Sequence, residues 1–353
     1  MQFILLFLAH TIAATPELPW SCSEDGCWPQ TWVLGGQKCG STAIYKWIHK
    51  RFSICAATPQ TRRRLATPKW RSRQTNDLKE THFWGDAHEA WNATPRTARR
   101  GAAKRLAASF TRLYPSNRRS ECLQGFFEAT PANLRHLTAP AELAAAVPAP
   151  FKAELRFIAV LREPIARDLS AFNAQLGRRV QWCAACPVAP GSTYEAFVAC
   201  RLANAATVTD GAESTYRGRF GGRRGAGCHG DLHTGFYGAQ IELWSAHFPR
   251  AHILVLEFSW LVVHFNDVHG GLAAFLRFPP ARGDQRLPHT NSKERAGERR
   301  EVTAQANISC AVRDELQAIY GPHNDRLYAL LAKRDGPPEE PEFPPFAPMP
   351  CVS

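Results

Sequence analysis

Short apolar runs alternate along the chain with longer stretches whose apolar residues recur every three to four positions. The run Thr31–Leu34 reads as a short buried strand, and Ile44, Trp47, Ile48 and Phe52 beyond it keep helical spacing. Residues 97–114 interleave Ala, Leu and Phe with Arg and Lys, which predicts a second helix. The stretch CLQGFFEATP, from Cys122, predicts a strand ending in a turn. A stronger strand, LRFIAVLREP, runs from Leu155 to Pro164, and Pro164 opens a helix at the first-turn position, where a missing N–H costs nothing. Later, GFYGAQIELWSAHF places Ile241, Trp244 and Phe248 on one helical face, and HILVLEFSWL from His252 to Leu261 is a third strong strand. Strands alternating with helices predict an α/β fold with a central parallel β-sheet flanked by helices.

Polar segments break this pattern. Residues 58–76 are basic and turn-rich and read as a surface insertion, and YRGRFGGRRGAGCHGD from Tyr216 to Asp231, within a second insertion near 209–231, is too polar to pack. From Arg334 onward the chain is rich in Pro and Glu and is expected to be an extended tail. Ala-Thr-Pro occurs five times at irregular separations, which marks composition and not a structural repeat. At 353 residues, 44% of them hydrophobic, the chain can bury a sizeable core as one large α/β domain with insertions or as two small domains. A net charge of +12 and a pI of about 9.4 favour anionic partners, whether nucleic acid, acidic polysaccharide or a phosphate-bearing cofactor.

The first residues hold an apolar run from Phe3 to Ala9 followed by small residues at Ala13 and Ala14, too short to span a bilayer and similar to a secretory signal. Eleven cysteines fit that route. Cys22 and Cys27 flank a small loop, and Cys183 with Cys186 form a lone C-x-x-C, for which Cys228 and His229 do not complete a zinc site. Disulfides are therefore the expected use, with a connectivity that sequence does not reveal. Asn92 and Asn307 begin glycosylation sequons.

The most informative stretch is TWVLGGQKCGSTAIYKWI, residues 31–48. A nucleotide-hydrolase loop reads G-x-x-x-x-G-K-[ST], with the lysine after the second glycine. Gly35 and Gly40 have that separation and Ser41 follows, but the lysine is Lys38, inside the loop. The hydrolase reading fails at its central residue, whereas a strand, a glycine turn and a helix N-terminus still aim backbone N–H groups and a helix dipole at an anion.

Two further segments give that anion an identity. Together GGQKCGSTAIYKWI, LKETHFW and FIAVLREPIARDLSAF resemble the Golgi carbohydrate sulfotransferases of heparan sulfate and glycosaminoglycan type, which use the sulfate donor PAPS (3′-phosphoadenosine 5′-phosphosulfate). The stretches FYGAQIELWSAHFPRAHILVLEF and IYGPHNDRLYALL are similar to that family's downstream helix, strand and terminal helix, so the resemblance spans about Thr31 to Leu331. It implies a P-loop-like sulfotransferase fold in which Gly35, Lys38, Cys39, Gly40, Ser41 and Thr42 grip the 5′ sulfophosphate. Arg162 and Ser170, one to two helical turns beyond Pro164, would hold the 3′ phosphate, arginine because its planar fork can bind two oxygens at once. Standing alone, Arg162 would be read as a surface ion pair with Glu163 or Asp168. Glu80 is the expected general base, with His82 orienting it or touching the acceptor, and with Lys79, Trp84 and Glu128 on the acceptor side. Without the loop at 35–42, Lys79 and Glu80 would read as a solvated surface pair.

Departures from the family pattern matter. Ala129 and Asn133 replace a lysine and a tyrosine common near Glu128, and LPHTNSKER, with Asn291, Ser292 and Lys293, stands where a basic loop usually closes over the donor. His247 and His264 read as structural or exposed.

Sulfuryl transfer, like phosphoryl transfer, is an in-line displacement governed by positioning and charge stabilisation. Lys38 suits the bridging oxygen of the donor, and the lower charge of a sulfuryl group removes the need for a metal. The expected organisation is a signal or short hydrophobic segment over 1–14, a lumenal lead-in over 15–30, a sulfotransferase domain over 31–333 and a Pro-rich tail over 334–353. The expected partners are PAPS, its product PAP and an acidic glycan or polysaccharide acceptor, with no nucleic acid, in the Golgi lumen or secreted. Membrane association is expected only if the N-terminal segment is retained. Transfer to protein tyrosine or a small alcohol, and a non-catalytic secreted glycan-binding protein on the same fold, are the alternatives.

Overall fold

The computed structural model describes residues 22–23, 26–52, 54–57, 80–81, 83–84, 99–114, 116–118, 122–178, 186–205, 232–280, 286–288 and 308–352. A short hairpin, β1 (Cys22–Ser23) and β2 (Gly26–Cys27), precedes the main sheet and is closed by the Cys22–Cys27 disulfide. The sheet holds β3 (Thr31–Gly35), β4 (Phe127–Glu128), β5 (Arg156–Leu161) and β6 (Ile253–Glu257), in the order β4-β3-β5-β6 with each neighbouring pair parallel. The strand predicted within CLQGFFEATP is thus only two residues long.

A parallel sheet has both faces covered, and residues alternate between them with a period of two. Trp32, Leu34, Phe157, Ala159, Leu161, Ile253 and Val255 point into one core, while Val33, Ile158, Val160, Leu254 and Leu256 point into the other. The second core is covered by α1 (Ser41–Arg51), whose Ile44, Trp47 and Ile48 form the buried stripe expected from their spacing. The first receives Phe110 of α2 (Arg99–Thr111) and Leu143 of α3 (Ala139–Ala146); α4 (Ala149–Lys152) is a single turn leading into β5. Two further helices, α5 (Pro164–Arg178) and α6 (Tyr194–Ala205), build a third core around Ile165, Leu169, Phe172 and Tyr194. Ile241 and Trp244 of α7 (Tyr237–Ser245) join the first core, and Phe265 and Leu272 of α8 (Phe258–Phe275) the second. The terminal helix, α9 (Cys310–Leu331), spans the third core with Leu316 and Tyr320 and the first with Leu327.

The strand predicted through Leu261 ends early. Glu257 turns its carboxylate onto the Trp260 N–H and caps α8, so FSWL becomes the first helical turn. The tail from Arg334 has little regular structure and is packed down. Glu340 accepts from Arg250 and from the Val255 N–H at 2.7 Å, covering part of the edge strand β6, and Phe343 and Phe346 lie against Tyr328.

Disulfides also join Cys55–Cys122, Cys186–Cys200 and Cys310–Cys351. Cys186 therefore bonds outside its C-x-x-C, whose Cys183 lies beyond the described residues together with segments 58–76 and 209–231 and the sequon residues Asn92 and Asn307. This bonding fits an oxidising compartment.

Replacing both Cys310 and Cys351 by Ser should lower stability by about 2–4 kcal/mol in reversible urea unfolding, because the bridge spans 41 residues and restrains the unfolded chain. An unchanged midpoint and slope would show that the tail is held without it.

Candidate functional site

All four main strands point the same way, so their carboxyl ends form one edge, the usual ligand face of an open α/β sheet. The loop after β3 lies there beside Arg162 at the end of β5 and Phe258 after β6.

The loop is fixed by backbone contacts that only glycine permits. Gly35 has φ 137°, and a Cβ there would sit 2.2 Å from the Pro131 carbonyl oxygen. Gly36 N–H donates to the Val160 carbonyl at 2.6 Å, tying the loop to β5. Lys38 and Gly40 both take left-handed conformations, φ 69° and 83°, which reverse the chain into α1. Ala43 and Ile44 return hydrogen bonds to the Gly40 carbonyl at 2.8 and 3.3 Å. Gly40 offers no side chain to cap the helix, and the first turn carries no acid, while His49, Lys50 and Arg51 occupy the last turn. The positive end of α1 thus has no side-chain cap among the described residues and suits an anion, with half-buried Lys38 and Thr42 and buried Ser41 around it.

Arg162 follows β5 directly. Its guanidinium lies over the Phe258 ring, 5.4 Å from the centroid. The two acids nearest to it in sequence make their hydrogen bonds with other groups. Glu163 accepts from the Ile165 and Ala166 N–H groups at 3.1 and 2.6 Å and starts α5. Asp168 is fully buried and bonds Arg167 at 2.9 Å, Arg201 at 2.7 Å and the Tyr194 hydroxyl at 2.8 Å. Among the described residues Arg162 makes no ion pair. Ser170 is half-buried, two turns along α5.

One residue at this edge escaped the sequence reading. Tyr237, first in α7 and buried, donates its hydroxyl to the Arg162 carbonyl at 2.9 Å and lies 3.7 Å from the Cys39 Sγ. It continues the Ile241, Trp244, Phe248 stripe by one turn, and the usable signal was a polar-tipped aromatic at the end of an apolar face. Cys39 is a buried free thiol whose pKa is pushed up by burial, against the opposing charges of Arg167 and Arg162.

The Glu80 segment reaches the same edge by way of Glu128. The Thr81 N–H donates to the Thr130 hydroxyl at 3.0 Å, and the Thr81 hydroxyl to Glu128 Oε1 at 2.9 Å. Glu128, fully buried at the end of β4, also accepts from the Thr130 N–H and hydroxyl and from Asn133 Nδ2. Burial pushes its carboxyl above the ordinary range, against the pull of those donors. Asn133, one of the departures from the family pattern, thereby has a defined partner. Trp84 is buried, tilted against Trp32 and Phe110 and edge-on to Phe83, so its ring lies in the core. Glu80 is half-buried and directly precedes Thr81, the residue held by these bonds.

Lys79, His82, Asn291 and Lys293 lie outside the described residues, so Glu80, the loop, Arg162 and Glu128 are the expected site residues found at this edge. His247 is exposed, and His264 stacks on Trp260 beside Asp267, away from these groups. Among the described residues no cluster of three His, Cys, Asp or Glu side chains suits a metal ion.

No protein-family model matches the chain, and no curated protein does. Among solved structures it is similar to a sulfotransferase from Alicyclobacillus acidocaldarius, with a TM-score of 0.50 and 15% identity, over 86% of this chain and 96% of that one. At that identity the likeness is one of fold, and the chain has the α/β fold of a sulfotransferase, a central parallel sheet flanked by helices.

Gly40→Ala should destabilise the protein by about 1–3 kcal/mol, since the left-handed backbone and the Phe258 ring both oppose a Cβ. Thermal unfolding of Gly40→Ala with and without Phe258→Ala separates the two: a double variant costlier than the sum of both single changes would exclude the steric contribution.

Proposed function

We propose that the chain transfers a sulfuryl group from PAPS to a carbohydrate hydroxyl. The observation that carries this reading is the pairing, on a sulfotransferase fold, of a helix N-terminus without a side-chain cap behind Lys38 with an arginine that makes no ion pair among the described residues, at the end of the adjacent strand. A nucleoside phosphorylated on both its 5′ and 3′ sides needs two such anion grips, set apart by the width of a ribose.

In this reading the residues divide by task. Gly35, Cys39, Gly40, Ser41 and Thr42 shape and line the grip on the 5′ side, and Arg162 and Ser170 hold the 3′ phosphate. Asn291 and Lys293 close over the donor. PAPS supplies an activated sulfuryl group on a good leaving group. The acceptor oxygen forms the new S–O bond as the S–O bond to the 5′ phosphate breaks. Lys38 donates to the oxygen that gains charge, and Glu80 takes the acceptor's proton. His82 orients Glu80, and Lys79 contacts the acceptor.

Glu128, expected from sequence to meet the acceptor, is assigned a positioning part, because its oxygens are occupied in holding Thr81 next to Glu80. The surplus of basic charge suits an acidic glycan. Disulfides favour a lumenal or secreted location, the Golgi lumen being where PAPS-dependent glycan sulfation of the resembled kind takes place.

Transfer of labelled sulfate from PAPS to a polysaccharide panel tests the reading directly, and Lys38→Ala should abolish it. If the wild type neither labels any acceptor nor binds PAP, the proposal is wrong. Glu80→Gln should lower turnover by about 10²-fold or more while PAP affinity, measured by calorimetry, stays within about twofold. Loss of PAP binding in that variant would instead make Glu80 a donor-side residue.

A further inference from the structure

We infer that Tyr237 is a positioning residue that sets the spacing between the two anion grips, and through it the selectivity for a nucleoside bisphosphate over a monophosphate. The inference rests on the donor-site reading above and deepens it.

The two grips sit on different supports. Gly36 is tied to β5 by its N–H, but the loop leaves the sheet beyond that point, and Cys39 bonds back only within the loop, its N–H to the Gly36 carbonyl at 3.2 Å and its Sγ to the Gln37 carbonyl at 3.6 Å. Arg162 is likewise the first residue past the pairing of Leu161 with Glu257. The sheet therefore fixes the roots of both grips without fixing their tips.

Tyr237 spans that gap from a third element. One hydroxyl meets the Arg162 carbonyl at 2.9 Å and the Cys39 thiol at 3.7 Å, so the backbone that carries the arginine and the loop that carries Lys38 are referenced to the same atom. The ring itself has little room to move. It is buried, Phe346 of the tail packs at 6.1 Å between centroids, and a Cβ on Gly36 would already lie 3.7 Å from its Cε1. α7 is in turn held in the core through Ile241 and Trp244. Burial raises the phenol pKa well above its ordinary value, so the hydroxyl keeps its proton and its donor function at working pH. Packing alone would be met by phenylalanine. What the hydroxyl adds is the link.

The test is calorimetric binding of adenosine 3′,5′-bisphosphate and adenosine 5′-monophosphate to the full chain. Wild type should prefer the bisphosphate. Tyr237→Phe should weaken bisphosphate binding by about tenfold, the scale of one lost hydrogen bond, and monophosphate binding by less than about twofold. A purely structural role would weaken both alike, and that outcome, or a preference left intact, overturns the inference. Arg162→Ala supplies the second readout: in that background Tyr237→Phe should add less than half its effect on the bisphosphate, because its influence passes through Arg162. Full additivity would also overturn it. A wild type that fails to prefer the bisphosphate would remove the donor-site reading itself, a result distinct from a selective wild type whose selectivity survives Tyr237→Phe.

Discussion

A parallel sheet delivers every strand's carboxyl end to one edge, and the candidate site exists because this chain spends those four ends on four different tasks. β3 ends in the glycine loop, β5 in Arg162, β6 in Phe258, and β4 in Glu128. The register places them side by side: Gly35 pairs with Ala159, and Leu161 with Glu257. Covering both faces with apolar helices leaves that edge as the place where backbone polar groups can meet a ligand. Segments far apart in sequence therefore converge because the strands that precede them pair side by side.

Three buried polar centres hold the edge in shape. Glu128 collects donors from Thr81, Thr130 and Asn133; Asp168 collects Arg167, Arg201 and Tyr194; the Tyr237 hydroxyl joins the loop to Arg162. Each would be costly if left unpaired in a low-dielectric interior, which makes each a specific constraint and not only a favourable contact. Asp168 is the clearest case. With Arg167 and Arg201 both buried around one carboxylate, the cluster keeps a net positive charge, and the Arg167 charge acts on Cys39 in the loop. An interior cation behind an anion grip acts in the same direction as the helix dipole.

Local features of this design were legible in the sequence, and long-range ones were not. The spacing of Ile44, Trp47 and Ile48, the run from Arg156 to Leu161 and Pro164 at a helix start are all written within a few residues, and each formed the expected element. The end of β6 was misjudged because FSWL is apolar enough for a strand, and only the Glu257 cap turns it helical. The anchoring of the Glu80 segment depends on a bond between positions 81 and 128, and the link from Tyr237 to Arg162 spans 75 residues, distances at which no periodicity carries information. The disulfide pairing was hidden for the same reason. The packed tail was hidden because a Pro-rich composition describes its extended backbone but not the Glu340 contacts with Arg250 and β6.

The position of the lysine, the feature that separates this loop from a nucleotide hydrolase's, has a physical explanation in the fold. A hydrolase would carry it at 41, the first residue of α1, but here that place is a serine only 4% exposed. A lysine there would bury its ammonium beside a helix N-terminus that already carries positive charge, at a cost of several kcal/mol. At 38 the side chain stays half-exposed, and the left-handed backbone it needs costs only about 1–2 kcal/mol. The same left-handed turn at Gly40 lets the Phe258 ring sit against the loop and stack beneath Arg162. Moving the lysine back by three residues therefore leaves the helix N-terminus without a side-chain cap among the described residues, with one cation on the loop in front of it and another at the end of β5. That arrangement suits a ligand whose negative charge lies on both sides of a nucleoside better than one whose phosphates form a single chain.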